Sequence, residues 1–371
     1  MMYFTIIFVA LVVILLLTGL HFVLYKYLIG IFPAGRHLAI VFGTLPAILT
    51  AGFVFVSFIA FRYNNFISRG LYWFFSTWLG LGFYLILAGV IYWLIIWLLK
   101  MFGVQVNAVL FGRLLLVAAI ITVIYGLVNA QKLVITDLKL NIPNLPASWQ
   151  GRRAVWISDI HLDQIHNYSY AKELAEKISV LNPDILFVGG DFFDGTAIDL
   201  NKITAPFANI KPPLGTYYIT GNHEEFGDPT KYINAVAGAG MRVLMNESVV
   251  VDGVRIIGVD YKTTSDVNKY EEIIKKLTAD KSFPMILLKH EPKDVGIAAE
   301  NGISLEISGH THRLQMFPLG LFTELVYGKY YYGLHQVGDM IHYTSDGVGT
   351  WGPPLRVGTY SEIVTMEFSS N

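Results

Sequence analysis

Two histidines one residue apart follow a short apolar run late in the chain. The segment Ile307–Gln315 reads ISGHTHRLQ, and its histidines are His310 and His312. In extended backbone, residues i and i+2 project to the same side of a strand, so this spacing can present two imidazoles to one site. The alternative is a pair of solvent-facing histidines in a polar loop. The remaining metal-capable residues of the chain decide between these interpretations.

Four other apolar runs also end in side chains that can bind a metal. AVWIS leads to Asp159 and His161, ILFVGG to Asp191 and Asp194, TYYITG to Asn222 and His223, and MILLK to His290. Each of these residues alone is explained by a turn or a helix cap. In an open α/β sheet, however, ligands bind at the carboxyl ends of the strands. Five such endings in order therefore predict one shared site.

The donors at this predicted site are carboxylates, imidazoles and an amide, and the chain has no Cys. Oxygen and nitrogen donors suit Mn²⁺, Fe or Zn²⁺ better than thiophilic ions. The elements that must position them alternate between strands and helices after Ala130. Val134–Leu140 alternates like a strand, Asn141–Pro146 is a proline-rich linker, and Tyr170–Asn182 and Lys269–Lys281 have helical patterns. This alternation predicts α/β layering, in which helices cover a sheet.

The first 130 residues have the composition of a membrane region. The whole chain is 54% hydrophobic and 15% charged, yet none of its 28 acidic residues precedes Ala130. Four stretches contain no charged residue, and each is near or above the length that crosses a bilayer: Met1–Tyr25, His37–Phe61, Leu71–Leu99 and Leu114–Ala130. We therefore predict a transmembrane region of about four helices over residues 1–130, a linker with a strand over 131–150 and a catalytic domain over 151–371.

The charge distribution limits the function of both parts. Six of the 27 Lys and Arg residues lie before Ala130, so the rest of the chain carries a net charge of −7, which disfavours nucleic-acid binding. The spans lack the carboxylates that ion pathways generally use, so an anchor is favoured over a transporter. The first span has Lys26 after it and no cation before it. This pattern favours an outside N-terminus and, with an even number of spans, an extracytoplasmic catalytic domain in a multi-pass cell-membrane protein.

The motifs SDIHLD, GGDFFDG, GNHEEF, LKHEP and GHTH together resemble those of the calcineurin-like metallophosphoesterase superfamily. From about Asn141 to the C-terminus, the chain resembles the membrane-associated YkuE/YaeI-like phosphodiesterase branch. The resemblance implies an αββα sandwich with a dimetal site at the carboxyl ends of the strands, here following a helical membrane bundle. One departure concerns the residues after GHTH, because the branch commonly has two glycines where this chain has Arg313 and Leu314.

The resemblance also implies a role for each site residue. It assigns one of two divalent ions (Mn, Fe or Zn) to Asp159, His161, Asp191 and His312. It assigns the other to Asp191, Asn222, His290 and His310, so that Asp191 bridges the pair. The residue that would stabilise the transition state or protonate the leaving alkoxide is His223.

These implications predict a membrane-anchored, dinuclear-metal-dependent phosphoesterase. It would hydrolyse a phosphodiester, or alternatively a phosphomonoester, by metal-activated hydroxide. The apolar segment Met316–Tyr332 either packs on the sheet or admits the acyl chain of a lipid-linked substrate. The alternative function is a catalytically silent sensor or scaffold attached to a membrane protein. The expected partners are the lipid bilayer and the phosphoester substrate, and the sequence predicts no particular oligomeric state.

Overall fold

The computed structural model describes residues 2–33 and 35–370. The chain forms two compact units. The helical unit comprises Met1–Ala60, Asn65–Val128 and Gly352–Leu355. The α/β unit comprises Phe61–Asn64, Asn129–Trp351 and Arg356–Asn371.

Long apolar helices form the helical unit: α1 (Met2–Ile31), α2 (Arg36–Ala60), α3 (Phe66–Met101) and α4 (Ala108–Ala130). A helix satisfies its own backbone hydrogen bonds, which is the requirement for crossing lipid. Among the described helices, α2, α3 and α4 are long and apolar enough to cross a membrane. The first predicted span, Met1–Tyr25, lies partly outside the residues whose side chains are described, and the described apolar part of α1 is Leu15–Ile31. The first of the four predicted spans therefore stays a prediction.

Two of these helices begin earlier than the charge-free stretches suggest. Helix α3 starts before Leu71 because Asn65 and Ser68 form a capping box, with Ser68 N donating to Asn65 Oδ1 at 2.9 Å. Helix α4 includes Arg113, whose Nε donates to Ile31 O at 3.1 Å. The charge at the edge of the apolar run does not end the helix, since its side chain finds a carbonyl acceptor.

Twelve strands are described in the α/β unit: β1 (Leu133–Asn141), β2 (Arg153–Ile157), β3 (Ile185–Val188), β4 (Thr216–Tyr218), β5 (Arg242–Val243), β6 (Glu247–Val251), β7 (Val254–Gly258), β8 (Met285–Leu288), β9 (Leu305–Ser308), β10 (Gly333–Val337), β11 (Met340–Thr344) and β12 (Ser361–Ser369). They form two six-stranded sheets, in the orders β1-β12-β2-β3-β4-β5 and β10-β11-β9-β8-β7-β6. The strand of the predicted linker is thus an edge strand of the first sheet, parallel to β12.

The helices of this unit are α5 (Tyr168–Val180), α6 (Leu200–Thr204), α7 (Asn222–Glu225), α8 (Thr230–Gly238), α9 (Tyr261–Thr264), α10 (Val267–Leu277), α11 (Val295–Glu300) and α12 (Gly320–Tyr327). Short 3₁₀ turns occupy Ala147–Trp149, Ala205–Asn209, His312–Leu314 and Gly328–Tyr331. Helices α5 and α10 overlap the two predicted helices but begin slightly earlier, because Asn167 and Asp266 cap their first turns.

Three apolar clusters show how the layers are stacked. One lies between the two sheets and combines Trp156 and Phe187 of the first sheet with Ile286 and Ile307 of the second. A second cluster joins the outer face of the first sheet to α5 and α8, and a third joins the outer face of the second sheet to α10 and α11. Because side chains alternate across a strand, each sheet contributes to two clusters. The predicted αββα sandwich is confirmed.

Each sheet contains a set of three adjacent strands that run parallel to one another. Strands β2, β3 and β4 form one parallel set, and β7, β8 and β9 form the other. Parallel neighbours place their carboxyl ends at the same edge of a sheet. The loops that follow these strands therefore converge, and they carry the residues that the sequence singles out.

Candidate metal centre

Three of the predicted ligands form a first buried cluster. Asp159 and His161 follow β2, and His312 lies in the 3₁₀ turn after β9. His312 Nε2 is 3.4 Å from Asp159 Oδ1 and 3.0 Å from His161 Nε2. The ligand atoms of all three residues lie within 4.8 Å of one another, the arrangement that a single metal ion requires of its donors.

A second cluster contains the other predicted ligands. His290 Nε2 lies 3.2 Å from each of Asp191 Oδ2, His310 Nδ1 and Asn222 Oδ1. His290 follows β8, Asp191 follows β3, and Asn222 opens α7 after β4. Four loops from both sheets thus deliver donors to one point.

Two carboxylates lie between the clusters. Asp191 Oδ2 is 3.9 Å from His161 Nε2 of the first cluster while contacting His290 of the second. Asp159 Oδ1 similarly lies 3.9 Å from His290 Nε2. The structure therefore brings all seven sequence-predicted ligands together, and Asp191 reaches donors of both groups. Whether each one binds a metal stays a prediction.

The donor chemistry fits a cation. His290 Nδ1 lies 2.7 Å from the carbonyl oxygen of Gly189, which can only accept, so this nitrogen donates. The other ring nitrogen then faces a carboxylate, an amide oxygen and a second imidazole. The carboxylate and the amide oxygen can only accept, so they favour a positive charge, either on the ring or on a bound ion. A His orientated through its second nitrogen is typical of metal sites.

The pKa values follow the same charge balance. Burial opposes ionisation of Asp159, yet His312 and His290 hold its pKa below the ordinary value. Burial also opposes the charged form of His290, but the Asp191 and Asp159 carboxylates raise its pKa to about 10. Burial lowers the pKa of His312 to about 4, and His161 and Arg356 contribute to that decrease.

His223 lies beside the two clusters. Its Nδ1 is 2.9 Å from Asp194 Oδ1, and the same carboxylate oxygen is 3.4 Å from His161 Nδ1. Burial favours the neutral ring, but Asp194 and Asp191 raise the pKa of His223 to about 9. Asp194 therefore connects a predicted metal ligand with the predicted proton donor.

Five of the predicted ligands have left-handed backbone. The φ angles are 55° at Asp159, 51° at His161, 47° at Asp191, 71° at His310 and 46° at His312. This conformation is uncommon for non-glycine residues and is concentrated at functional sites. The expectation of extended backbone at the two late histidines is wrong, because β9 ends at Ser308. The turn nevertheless directs one of them to each cluster.

Two residues that support the predicted ligands are not predicted from the sequence. Glu224 is fully buried and accepts hydrogen bonds from the backbone N–H groups of Asp191, Phe193 and Gly221. A side chain at Gly221 would collide with Asp191, so the loop after β4 requires glycine here. The GNHE motif itself is the signal that could have identified both residues.

Two arginines, Arg313 and Arg356, contact the residues around His312. Arg356 is fully buried, and its NH2 group lies 3.2 Å from His312 Nδ1 while donating to backbone carbonyls, among them Asp346 O at 2.9 Å. Arg313 forms an ion pair with Asp346 and lies 4.0 Å over the Tyr332 ring. Both arginines hold the loops that surround His312.

Aromatic side chains surround the centre. On the His223 side, the ring centroids of Phe226 and Trp351 lie 5.2 and 5.9 Å from that of His223. Tyr261 and Tyr327 lie 6.1 and 6.2 Å from His310 on the other side. Phe226 and Trp351 are exposed, so they can contact a bound molecule.

A two-sheet α/β sandwich with a cluster of oxygen and nitrogen donors at the strand ends defines a class of metal-dependent hydrolases. Residues 152–314 match the calcineurin-like phosphoesterase family. An uncharacterized metallophosphoesterase of Aquifex aeolicus is 30% identical over 230 residues, 56% of this chain and 82% of the relative. The chain belongs to the calcineurin-like phosphoesterase family, whose members generally use divalent metal ions.

Two further relatives connect the chain with membrane proteins and with the predicted branch. The transmembrane protein with metallophosphoesterase domain of Danio rerio is 30% identical over 272 residues, 68% of this chain and 61% of the relative. The uncharacterized metallophosphoesterase YkuE of Bacillus subtilis is 28% identical over 237 residues, 61% of this chain and 82% of the relative. The chain thus spans about three fifths of the zebrafish protein. That similarity and the three membrane-capable helices indicate membrane association.

Proposed function

We propose that this chain is a membrane-anchored phosphoesterase that hydrolyses a phosphodiester with two divalent ions. The observation that carries the proposal is the pair of donor clusters, in which strained backbone holds buried imidazoles and carboxylates within 4.8 Å. Unfavourable backbone angles persist where the surrounding structure enforces them, as in binding and active sites. A scaffold without bound metal would gain nothing from such an arrangement.

The proposed ligand sets follow the family pattern. One ion would be held by Asp159, His161, Asp191 and His312, and the other by Asp191, Asn222, His290 and His310. When bound, such a pair supplies an activated water nucleophile and neutralises charge on the phosphoryl oxygens. Manganese, iron and zinc all accept this donor set.

The residue proposed to serve the leaving group is His223. Asp194 lies against its Nδ1 and fixes the orientation of the ring, which leaves Nε2 as the nitrogen that can meet the substrate. A ring held in this way donates a proton to the departing oxygen. The nearby Phe226 and Trp351 would contact the group that departs.

The membrane setting supports a lipid-linked phosphodiester as the substrate. The chain carries helices that can cross a bilayer, and large apolar side chains are exposed close to the metal centre. We further propose that the protein is a multi-pass cell-membrane protein with an extracytoplasmic catalytic domain, because the cation distribution around the first span favours an outside N-terminus.

The test uses the full chain in detergent or nanodiscs. Protein loaded with Mn²⁺, Fe²⁺ or Zn²⁺ is assayed with bis-p-nitrophenyl phosphate and with p-nitrophenyl phosphate, before and after EDTA. We expect diester hydrolysis that EDTA abolishes and added metal restores, with slower monoester hydrolysis. Protein that binds two ions per chain yet hydrolyses neither ester would identify a metal-binding scaffold instead.

A further inference from the structure

An exposed apolar surface lies in the segment that follows His312. It consists of six large side chains, which we call the apolar ridge: Leu314, Phe317, Leu321, Phe322, Leu325 and Val326. All six are exposed, with Leu325 at 81% and Val326 at 73% of full exposure. Among the residues of α12, which carries four of them, Thr323 is the buried one. Exposed apolar patches of this kind are typical of binding or membrane surfaces.

Hydrogen bonds fix the ridge at both ends. At its base, Phe317 N donates to Val357 O at 2.8 Å. At the end of α12, Tyr327 OH donates to Glu291 Oε1 at 2.8 Å, and the Tyr327 ring lies near His310. The segment is thus an ordered helix attached to the site, and its outward face exposes apolar side chains.

The bilayer is the occupant that the surrounding contacts favour. Asn129, in the last turn of the membrane-capable helix α4, donates through Nδ2 to Arg356 O at 3.1 Å and to Thr359 O at 2.9 Å. Val357, which accepts from the base of the ridge, lies between these two acceptors in sequence. Two hydrogen-bonded links therefore connect the ridge with the end of a helix that can span a membrane. A soluble protein partner has no comparable support.

The composition at the end of the ridge agrees with a lipid boundary. Lys329 follows α12, and Tyr330, Tyr331 and Tyr332 come directly after it. Tyrosine is enriched at the level of the lipid headgroups, and lysine side chains reach towards them. An apolar helix face with such neighbours is typical of a segment that lies in the membrane interface.

We propose that the apolar ridge inserts into the surface of the bilayer and admits a phosphodiester with a hydrocarbon chain from the membrane to the metal centre. The insertion is independent of catalysis, whereas the substrate class rests on the proposed function. Substrates dissolved in water would bypass the ridge, while substrates anchored in lipid would depend on it.

Insertion is measured by fluorescence quenching. Because the chain has no Cys, Leu325→Cys provides a single site for an NBD label in the full chain. The protein is reconstituted in nanodiscs of phosphatidylcholine and phosphatidylglycerol with and without doxyl-labelled lipid. Val180→Cys is the matched control, because Val180 is an apolar residue of similar exposure, 84%, outside the ridge. We expect doxyl lipid to quench the label at 325 and to leave that at 180 unchanged. Equal emission at 325 with and without doxyl lipid rejects insertion.

The substrate class is measured with two esters that share one leaving group. Methyl p-nitrophenyl phosphate is soluble, and hexadecyl p-nitrophenyl phosphate partitions into the nanodisc. In the variant L325Q/V326Q, we expect the hexadecyl-to-methyl rate ratio to fall roughly tenfold, because two side chains no longer bury apolar surface in lipid. The control V180Q should keep the wild-type ratio.

The two experiments separate the possible failures. A wild type that hydrolyses neither ester contradicts the proposed function, while quenching at 325 still decides insertion. Quenching at 325 combined with an unchanged rate ratio in L325Q/V326Q overturns the substrate class. A decrease of the same ratio in V180Q would also overturn it, since the effect would then not belong to the ridge.

Discussion

Replacing His223 with alanine should remove the proton donor and leave the metal centre intact. The backbone N–H of His223 donates to Asp191 Oδ1 at 2.9 Å, and the substitution preserves this bond. The lost side chain contacts Asp194, which is not a predicted ligand. Of the donors in the two clusters, it contacts the ring of His161, edge to face. We therefore expect metal content, measured by elemental analysis, to equal that of the wild type.

The size of the activity loss should depend on the leaving group. A positioned general acid contributes about 10²–10⁴-fold when the departing oxygen needs a proton. Phenolate is basic and needs one, whereas p-nitrophenolate leaves readily without it. We expect His223→Ala to lower kcat/KM about 10²-fold or more for methyl phenyl phosphate and roughly tenfold or less for methyl p-nitrophenyl phosphate.

The assay follows phenol and nitrophenol release at saturating Mn²⁺ with the full chain in nanodiscs. Asp194→Asn, which weakens the orientation of His223, should show the same leaving-group dependence with a smaller loss. His335→Ala is the control, because His335 lies on β10 and its Nε2 contacts Tyr332 O. Equal losses for both esters, or a loss of metal in His223→Ala, would refute the proton-donor role.

Three other substitutions test the centre and its supports. Asp191→Asn should lower bound Mn²⁺ per chain and activity together, because Asp191 reaches both clusters; two ions per chain by elemental analysis would contradict a bridging role. Leu314→Gly should stabilise the fold by about 1 kcal/mol, since Leu314 has φ of 50°, and a lower thermal midpoint would contradict this strain. Lys289→Met should destabilise the fold by about 3–5 kcal/mol, because it leaves the fully buried Glu306 without the ammonium that lies 2.9 Å away. Denaturant unfolding should show that stability recovers in the double variant Lys289→Met/Glu306→Leu. A single variant as stable as the wild type would exclude this pairing.

The family resemblance implies the αββα sandwich, whereas the α/β layering and the position of the donors follow from the sequence for a simple physical reason. Buried parallel strands appear as short apolar runs, and their carboxyl ends share an edge. The runs before Asp159, Asp191 and His290 correspond to β2, β3 and β8. These predictions depend on local pattern and on a rule of topology, so no knowledge of side-chain packing was needed.

Contacts between distant residues are the features that the sequence does not reveal. Arg356 is 44 residues from His312, and nothing in its neighbourhood predicts a fully buried guanidinium. The fully buried pair of Lys289 and Glu306 likewise joins the residue after β8 to β9, where the apolar pattern would favour aliphatic residues. A buried charge is stable only with its partner, and the partner becomes known only when the chain has folded.

The departure from two glycines after GHTH has a structural consequence. Arg313 and Leu314 adopt φ of 48° and 50°, angles that glycine reaches without strain. The neighbouring side chains offset this strain: Arg313 binds Asp346 and the Tyr332 ring, and Gln315 exchanges two hydrogen bonds with the backbone of Trp351. Glycine could not make the Arg313 contacts. These contacts fix the turn that carries His312, and the apolar ridge begins at the residue after Arg313, Leu314. The residues that strain this loop therefore also hold the proposed lipid-facing helix beside the metal centre.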